Sequence, residues 1–182
     1  MTMYPDNEPT ISSRSIYSGR IIDVRVDTVQ LQNGRQSTRE IVDHAPSICV
    51  VPVDSDGNVL LVRQYRKPTN DFLLEVPAGG IESGETPEEA TRRELQEEIG
   101  HTADNLVALS AFWLAPGWCS EYMYAFLATG LTAANLDSDE DEFIEVVRVP
   151  LSDAAGVIGR GEIQDAKSVA ALLLAARALG AD

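Results

Sequence analysis

Between Gly79 and Gly100 the chain reads GGIESGETPEEATRRELQEEIG, and seven of these twenty-two residues are glutamate. Three of the acids fall within five positions, at Glu94, Glu97 and Glu98. The ends of the segment are well marked. Thr86-Pro87-Glu88-Glu89 puts threonine at a helix N-cap, proline at the first helical position and glutamate at the third, which makes a capping box. Gly100 stands where a left-handed residue closes a helix. The spacing predicts a helix over about residues 87–99. At roughly 100° per residue, Glu94, Glu97 and Glu98 share an arc of about 100°, while Leu95 and Ile99 face another side, toward a core. Glu94 and Glu98 are i,i+4 neighbours, and like charges so placed repel by roughly 0.2–0.5 kcal/mol. Only Arg92 and Arg93 offer compensation nearby.

Two readings of this acidic face stand side by side. One is a solvated helix surface, the usual fate of a charge run. The other is a socket for a hard cation. Gly79, Gly80 and Gly84 precede the helix and permit a tight loop whose carbonyls can point at an ion. Magnesium takes several oxygen ligands, and carboxylates beside free carbonyls supply them.

The remaining composition narrows the field. The chain has 182 residues, 44% of them hydrophobic, with a net charge of −15. That length suits one ordinary domain, or one with a small appendage. The charge disfavours nucleic acid and anionic membrane surfaces as partners. An anionic small molecule is not excluded, but it needs local positive charge from arginines or bound cations. There is no apolar run long enough for a membrane span. The opening MTMYPDNEPTISSRS lacks a basic then apolar signal, so it is expected as a flexible lead-in to a cytoplasmic protein. Cys49 and Cys119 are expected to be reduced and inert.

Residues 15–43 read as antiparallel strands, with alternation in IIDVRVDTVQL and the hairpin signal Asn33-Gly34. Ile22, Val24 and Val26 point one way, and Asp23, Arg25 and Asp27 the other. Pro46 marks a boundary, giving an N-terminal region over 1–45 and a catalytic region over 46–182. In the second, SICVVPVD and NVLLVRQYR resemble buried strands joined by a turn at Asp54–Gly57. FLLEVPAG is a short strand leading into the acidic segment. Strands near NLVALSAFWLA, YMYAFLAT and FIEVVRVP follow, with a loop at PGWCSE and an acidic loop at DSDEDE. A short helix after Ser152 and a longer one over DAKSVAALLLAARAL close the chain. The order suggests a mixed α/β layer protein.

The acidic segment also matches a motif: Gly, five residues, Glu, seven residues, then Arg-Glu-aliphatic-x-Glu-Glu-x-Gly-aliphatic. Gly79, Glu85, Arg93, Glu94, Leu95, Glu97, Glu98 and Gly100 fall in register, and only the final position departs, as His101. On these residues the chain resembles the Nudix hydrolases. The likeness runs from about Ser18 to Leu179. It implies an α-β-α sandwich with a mixed sheet, of α/β (α+β) class, plus a small N-terminal antiparallel β-region. It implies that Glu94 and Glu98 bind magnesium, with manganese a possible substitute, that Glu97 assists, and that the Ala78 carbonyl is a further ligand. Arg93 would orient Glu94, and Gly79 and Glu85 would support the loop.

Pro116, fifteen residues past the motif and followed by Gly117, resembles the ADP-ribose pyrophosphatase group. That likeness implies hydrolysis of the pyrophosphate of ADP-ribose or another nucleoside diphosphate sugar. The products would be a nucleoside monophosphate and a sugar phosphate. It further implies a homodimer with exchanged N-terminal strands. By the same likeness Glu140 helps activate water and Glu142 adds a metal contact. Arg39, Arg66, Glu121 and Trp118 would touch substrate. GDP-mannose or another such sugar as the main substrate is an alternative, and a catalytically silent, ligand-sensing domain is a second from a different class. A calcium-binding acidic protein is a third. For that one the DSDG turn at Asp54 lacks the twelfth-position glutamate of an EF-hand.

Overall fold

A computed structural model describes residues 8–136 and 143–180. The chain divides into two compact units. The first is the chain up to Ala45 together with Trp113–Tyr122, and the second is Pro46–Phe112 with Met123 onward.

In the first unit, β1 (Thr10–Ser18), β2 (Ile22–Gln30) and β3 (Gln36–His44) form an antiparallel sheet in that order. The β2–β3 turn closes at Gly34, whose φ of 82° suits glycine. Asn33 assists by accepting a hydrogen bond from the Arg35 amide at 3.0 Å. One expectation changes here. The lead-in is not all flexible, because Thr10–Ser18 is a strand whose nine residues are all exposed. The polar face of β2 carries paired charge. Asp27 is 5% exposed, and Arg25 donates to it at 3.1 Å while also pairing with Asp43. A buried carboxylate needs such a partner.

The second unit holds the larger core. β4 (Ser47–Pro52) is buried along its whole length, as a β-branched run covered on both faces should be. It lies in a four-stranded sheet of order β7-β4-β9-β8, with β7 spanning Ala78–Gly80, β8 His101–Trp113 and β9 Tyr122–Ala133. β4 is parallel to β9 and antiparallel to β7, so the sheet is mixed. A second sheet, ordered β10-β5-β6, joins β10 (Glu145–Pro150), β5 (Asn58–Arg66) and β6 (Asp71–Glu75). Its pairings are antiparallel. FLLEVPAG therefore makes two short strands. Val76-Pro77 separates them, and the Pro77 carbonyl instead accepts from Val50 at 2.9 Å.

Helices flank β4. α1 (Pro87–Ile99) packs Ala90, Leu95 and Ile99 into one cluster with Ile48, Val50, Leu60 and Val62. α3 (Ala166–Leu179) also packs on β4 and buries Ala171, Leu172, Ala175 and Ala176. Strand alternation explains the division. Ile48 and Val50 point toward α1. Cys49 points the other way, where it feels Lys167 and Asp165 at the start of α3. Burial pushes the Cys49 thiol up to about 12, so it is not a nucleophile. Both cysteines are free. A single 3-10 turn, Leu151–Asp153, leads into α2 (Ala154–Gly159). No helix among the described residues is long and apolar enough to cross a membrane.

Candidate active site

β4 fixes the floor of the site. Its ladder pairs Cys49 with Ala78 and Ile48 with Gly79, which holds β7 in one register. α1 is fixed at both ends. Thr86 accepts from the Glu89 amide, Glu89 accepts from the Thr86 amide at 2.8 Å, and Gly100 takes the left-handed conformation with φ of 67°. The helix thus presents its acidic face at one defined rotation.

Glu94 and Glu98 are 8% and 7% exposed, so the solvated-face reading does not hold for them. Both carboxylates border β7. Glu98 Oε2 accepts from the Ala78 amide at 3.1 Å. Glu94 lies so close to Gly79 that a Cβ there would stand 1.9 Å from Glu94 Oε1. Glycine is required at 79 for this close approach rather than for backbone conformation.

Arg93 ties the acids together. Its guanidinium donates to Glu85 through Nε at 2.9 Å and Nη2 at 3.0 Å, to Glu94 at 2.7 Å and to Glu97 at 2.9 Å. Nη2 also donates to the Gly80 carbonyl at 2.8 Å. Arg92 does not share this work, since it donates to the Ala103 carbonyl. Glu85 accepts in addition from the Glu82 amide at 2.9 Å, closing the loop between β7 and α1. The Glu85 hydrogen bonds, with those of Glu94 and Glu97, hold the Arg93 guanidinium above its ordinary pKa. Arg93 in turn holds the Glu85 carboxyl below the usual range.

That depression fixes a sign. Glu85 contributes stability that is present above the unfolded glutamate pKa, about 4.3, and is lost as pH falls through the lower folded value. Thermal unfolding followed from pH 6 to pH 3 should show this acid-side loss in the native protein and a shallower one in Arg93→Met. Equal slopes would contradict the Arg93–Glu85 assignment.

Three carboxylates therefore surround one guanidinium, one of them nearly buried, and the nearly buried Glu98 stands one helical turn beyond Glu94. Buried charge of one sign is costly unless matched. The donors are all hard oxygens beside a backbone turn, which fits a hard divalent cation and not a soft or nitrogen-seeking metal. Among the described residues, no three His, Cys, Asp or Glu side chains converge in ligating geometry. Arg93 draws Glu94 and Glu97, and Ala78 meets Glu98 through its amide rather than its carbonyl.

The other expected site residues are distributed as follows. Arg66 ends β5 in the same unit as the acids and is bidentate on Glu75, through Nε at 2.8 Å and Nη2 at 2.9 Å. It lies near enough to Glu98 for that charge to raise its pKa further. Arg39, Glu121 and Trp118 belong to the first unit. Arg39 is bidentate on Glu8. Glu121 Oε1 is 4.0 Å from His44 Nδ1. The Trp118 ring is exposed, while its backbone carbonyl accepts from Val42. Glu140 and Glu142 lie outside the described residues. His101 opens β8, with Nδ1 2.6 Å from the Ile99 carbonyl.

Sequence reading missed Glu75 and Lys167. Glu75 is 1% exposed and meets Arg66 and Lys167. The available signal was a single acid inside the apolar run FLLEVP, which must find a cation when buried.

Two family descriptions match the chain: the NUDIX domain over residues 43–172, and the nucleoside diphosphate sugar hydrolase N-terminal domain over residues 8–42. An ADP-ribose pyrophosphatase of Bacillus subtilis is 42% identical over 167 residues, covering 91% of this chain and 90% of that protein. A methanol dehydrogenase activator of Bacillus methanolicus is 38% identical over 169 residues, covering 91% and 90%. A crystal structure of an ADP compounds hydrolase superposes with a TM-score of 0.89 at 26% identity, covering 98% of this chain and 97% of the other.

Proposed function

The chain belongs to the Nudix hydrolase family, and from that premise we propose that it hydrolyses the pyrophosphate bond of ADP-ribose or a closely related nucleoside diphosphate sugar. The observation that carries the reading is the pair of buried carboxylates, Glu94 and Glu98, set against the Ala78–Gly79 backbone. The choice of ADP-ribose is supported by the 42% identity to a pyrophosphatase of that name across nearly the whole of both chains.

Glu94 and Glu98 would hold magnesium, with Glu97 and the Ala78 carbonyl completing the oxygen set. A divalent cation there supplies neutralisation of the pyrophosphate and a lowered pKa for an attacking water. The chain's own residues do the rest. Arg93 keeps Glu94 and Glu97 in place while Glu85 braces it from the loop. Arg66 offers the cationic contact that an anionic substrate needs in so acidic a protein. By family likeness Glu140 helps activate the attacking water, Glu142 adds a metal contact, and Arg39, Glu121 and Trp118 contact the remainder of the substrate. Exchange of N-terminal strands between two cytoplasmic copies is part of the same proposal. It is supported by the exposed length of β1, including Ile11, Ile16 and Tyr17.

The test is a substrate panel of ADP-ribose, ADP-glucose and GDP-mannose with magnesium and product identification. ADP-ribose should yield AMP and ribose 5-phosphate at the highest kcat/KM. A GDP-mannose preference would move the substrate, and no phosphomonoester from any of them would remove the reading. Light scattering on the same sample should give twice the chain mass. A monomer would remove the strand exchange.

A further inference from the structure

Arg66 is held by an arrangement that extends well behind the acidic helix. On β5 its side chain shares a face with Gln64 and Val62, and the antiparallel register places Glu75 across from Val62. The guanidinium reaches back along this face to Glu75 and pairs with both of its oxygens. A bidentate pair of this kind fixes the plane as well as the position of the guanidinium.

Glu75 is fixed in turn from another element. Lys167, in the first turn of α3, donates to Glu75 Oε2 and, at 2.8 Å, to Asp165 Oδ2. The same Asp165 oxygen caps α3 by accepting from the Ser168 amide at 3.1 Å. Ser168 Oγ then accepts from the Val76 amide at 2.9 Å, next to Glu75 in the chain. Two acids and two cations are thus joined through Glu75 and Asp165. Burial pushes the Glu75 carboxyl up, but Arg66 and Lys167 outweigh it and leave it below its ordinary value. The carboxylate is therefore charged at neutral pH.

The arrangement uses Nε and Nη2 of Arg66. Among the described residues, Nη1 makes no hydrogen bond. Without Glu75 the guanidinium would be free to turn onto the acids of α1, since Glu98 already acts on it. We propose that Glu75, pinned by Lys167 from α3, is a positioning residue that holds Arg66 with its Nη1 edge available to a substrate phosphate beside the acidic helix. This rests on the reading of Arg66 as a phosphate contact. Neither Glu75 nor Lys167 touches the reacting atoms.

A double-mutant cycle on the full chain tests it, with kcat and KM measured for Arg66→Ala, Glu75→Gln and the double variant. Arg66→Ala removes a charge-assisted hydrogen bond and should raise KM about 10–100-fold. Glu75→Gln keeps the shape of the side chain and should raise KM about tenfold, with kcat within about threefold and the magnesium requirement unchanged. In the Arg66→Ala background, Glu75→Gln should add little, because the residue it acts through is gone. Additive effects would overturn the proposal, as would a normal KM for Glu75→Gln. If Arg66→Ala itself leaves KM unchanged, Arg66 is not a phosphate contact and the positioning role falls, while hydrolysis by the box acids stands. If Glu75→Gln does not fold, Lys167→Met reads the same cycle from the other side of the carboxylate. If the native chain cleaves none of the sugars, calorimetric binding of ADP replaces KM in the same cycle.

Discussion

Glu98→Gln is expected to lower kcat about a thousandfold while leaving the fold intact. A catalytic cation supplies several kcal/mol of transition-state stabilisation, and each 1.36 kcal/mol is a factor of ten in rate. The substitution removes one of the two buried carboxylates against β7 but keeps an oxygen able to accept from the Ala78 amide, as Glu98 does at 3.1 Å. It also relieves the repulsion between positions 94 and 98, worth a few tenths of a kcal/mol. The metal-free Tm should therefore move little. The difference appears on adding magnesium. At about a hundred times its Kd, a ligand that binds only the folded chain stabilises it by about 2.7 kcal/mol, which at this size raises Tm by about 5–10 °C. The native protein should show that rise and lose it on chelation. Glu98→Gln should show little of it. A variant that keeps both its turnover and its magnesium-induced rise would refute the role given to Glu98.

Gly79→Ala is expected to lower kcat/KM about a hundredfold, and Gly80→Ala hardly at all. A methyl group at 79 would stand 1.9 Å from Glu94 Oε1 and 2.2 Å from its carboxyl carbon. Either the carboxylate or the strand must give way. The strand is held by its pairing to β4, and the carboxylate is held by Arg93 at 2.7 Å. A displacement of about 1 Å in a catalytic group can cost a factor of about 10². At 80, one residue along the same strand, a Cβ meets nothing within 4 Å. The pair differs only in what the added methyl touches, so equal activities would show that the Glu94 approach is unimportant. Circular dichroism and Tm separate loss of the site from loss of the fold.

The acidic helix was legible because its signals are local. Thr86, Pro87, Glu89 and Gly100 lie within one segment, and each acts on its own neighbours. The inward face of Leu95 and Ile99 follows from periodicity, and both are buried. The motif spacing located Glu94 and Glu98, but their near-complete burial came from β7. No count along the helix could reveal it. The first part of β1, residues 10–14, escaped notice for the opposite reason. A strand exposed at every position has no buried face, so TISSRSIYS carries no apolar alternation to read. The Glu75–Lys167 pair joins residues ninety-two positions apart, beyond any local pattern. Arg25 likewise binds Asp43 from a neighbouring strand. In each case the missing information was which segments the chain brings side by side.

The doubly stopped ends of α1 have a consequence for how this chain can vary. With the capping box at one end and a left-handed glycine at the other, the thirteen residues between cannot slide. Many side chains along the helix could be exchanged at modest expense. A residue inserted or removed between Thr86 and Gly100 would instead swing every later position by about 100° and carry Glu98 away from the β7 backbone. In this segment spelling can drift, but length cannot.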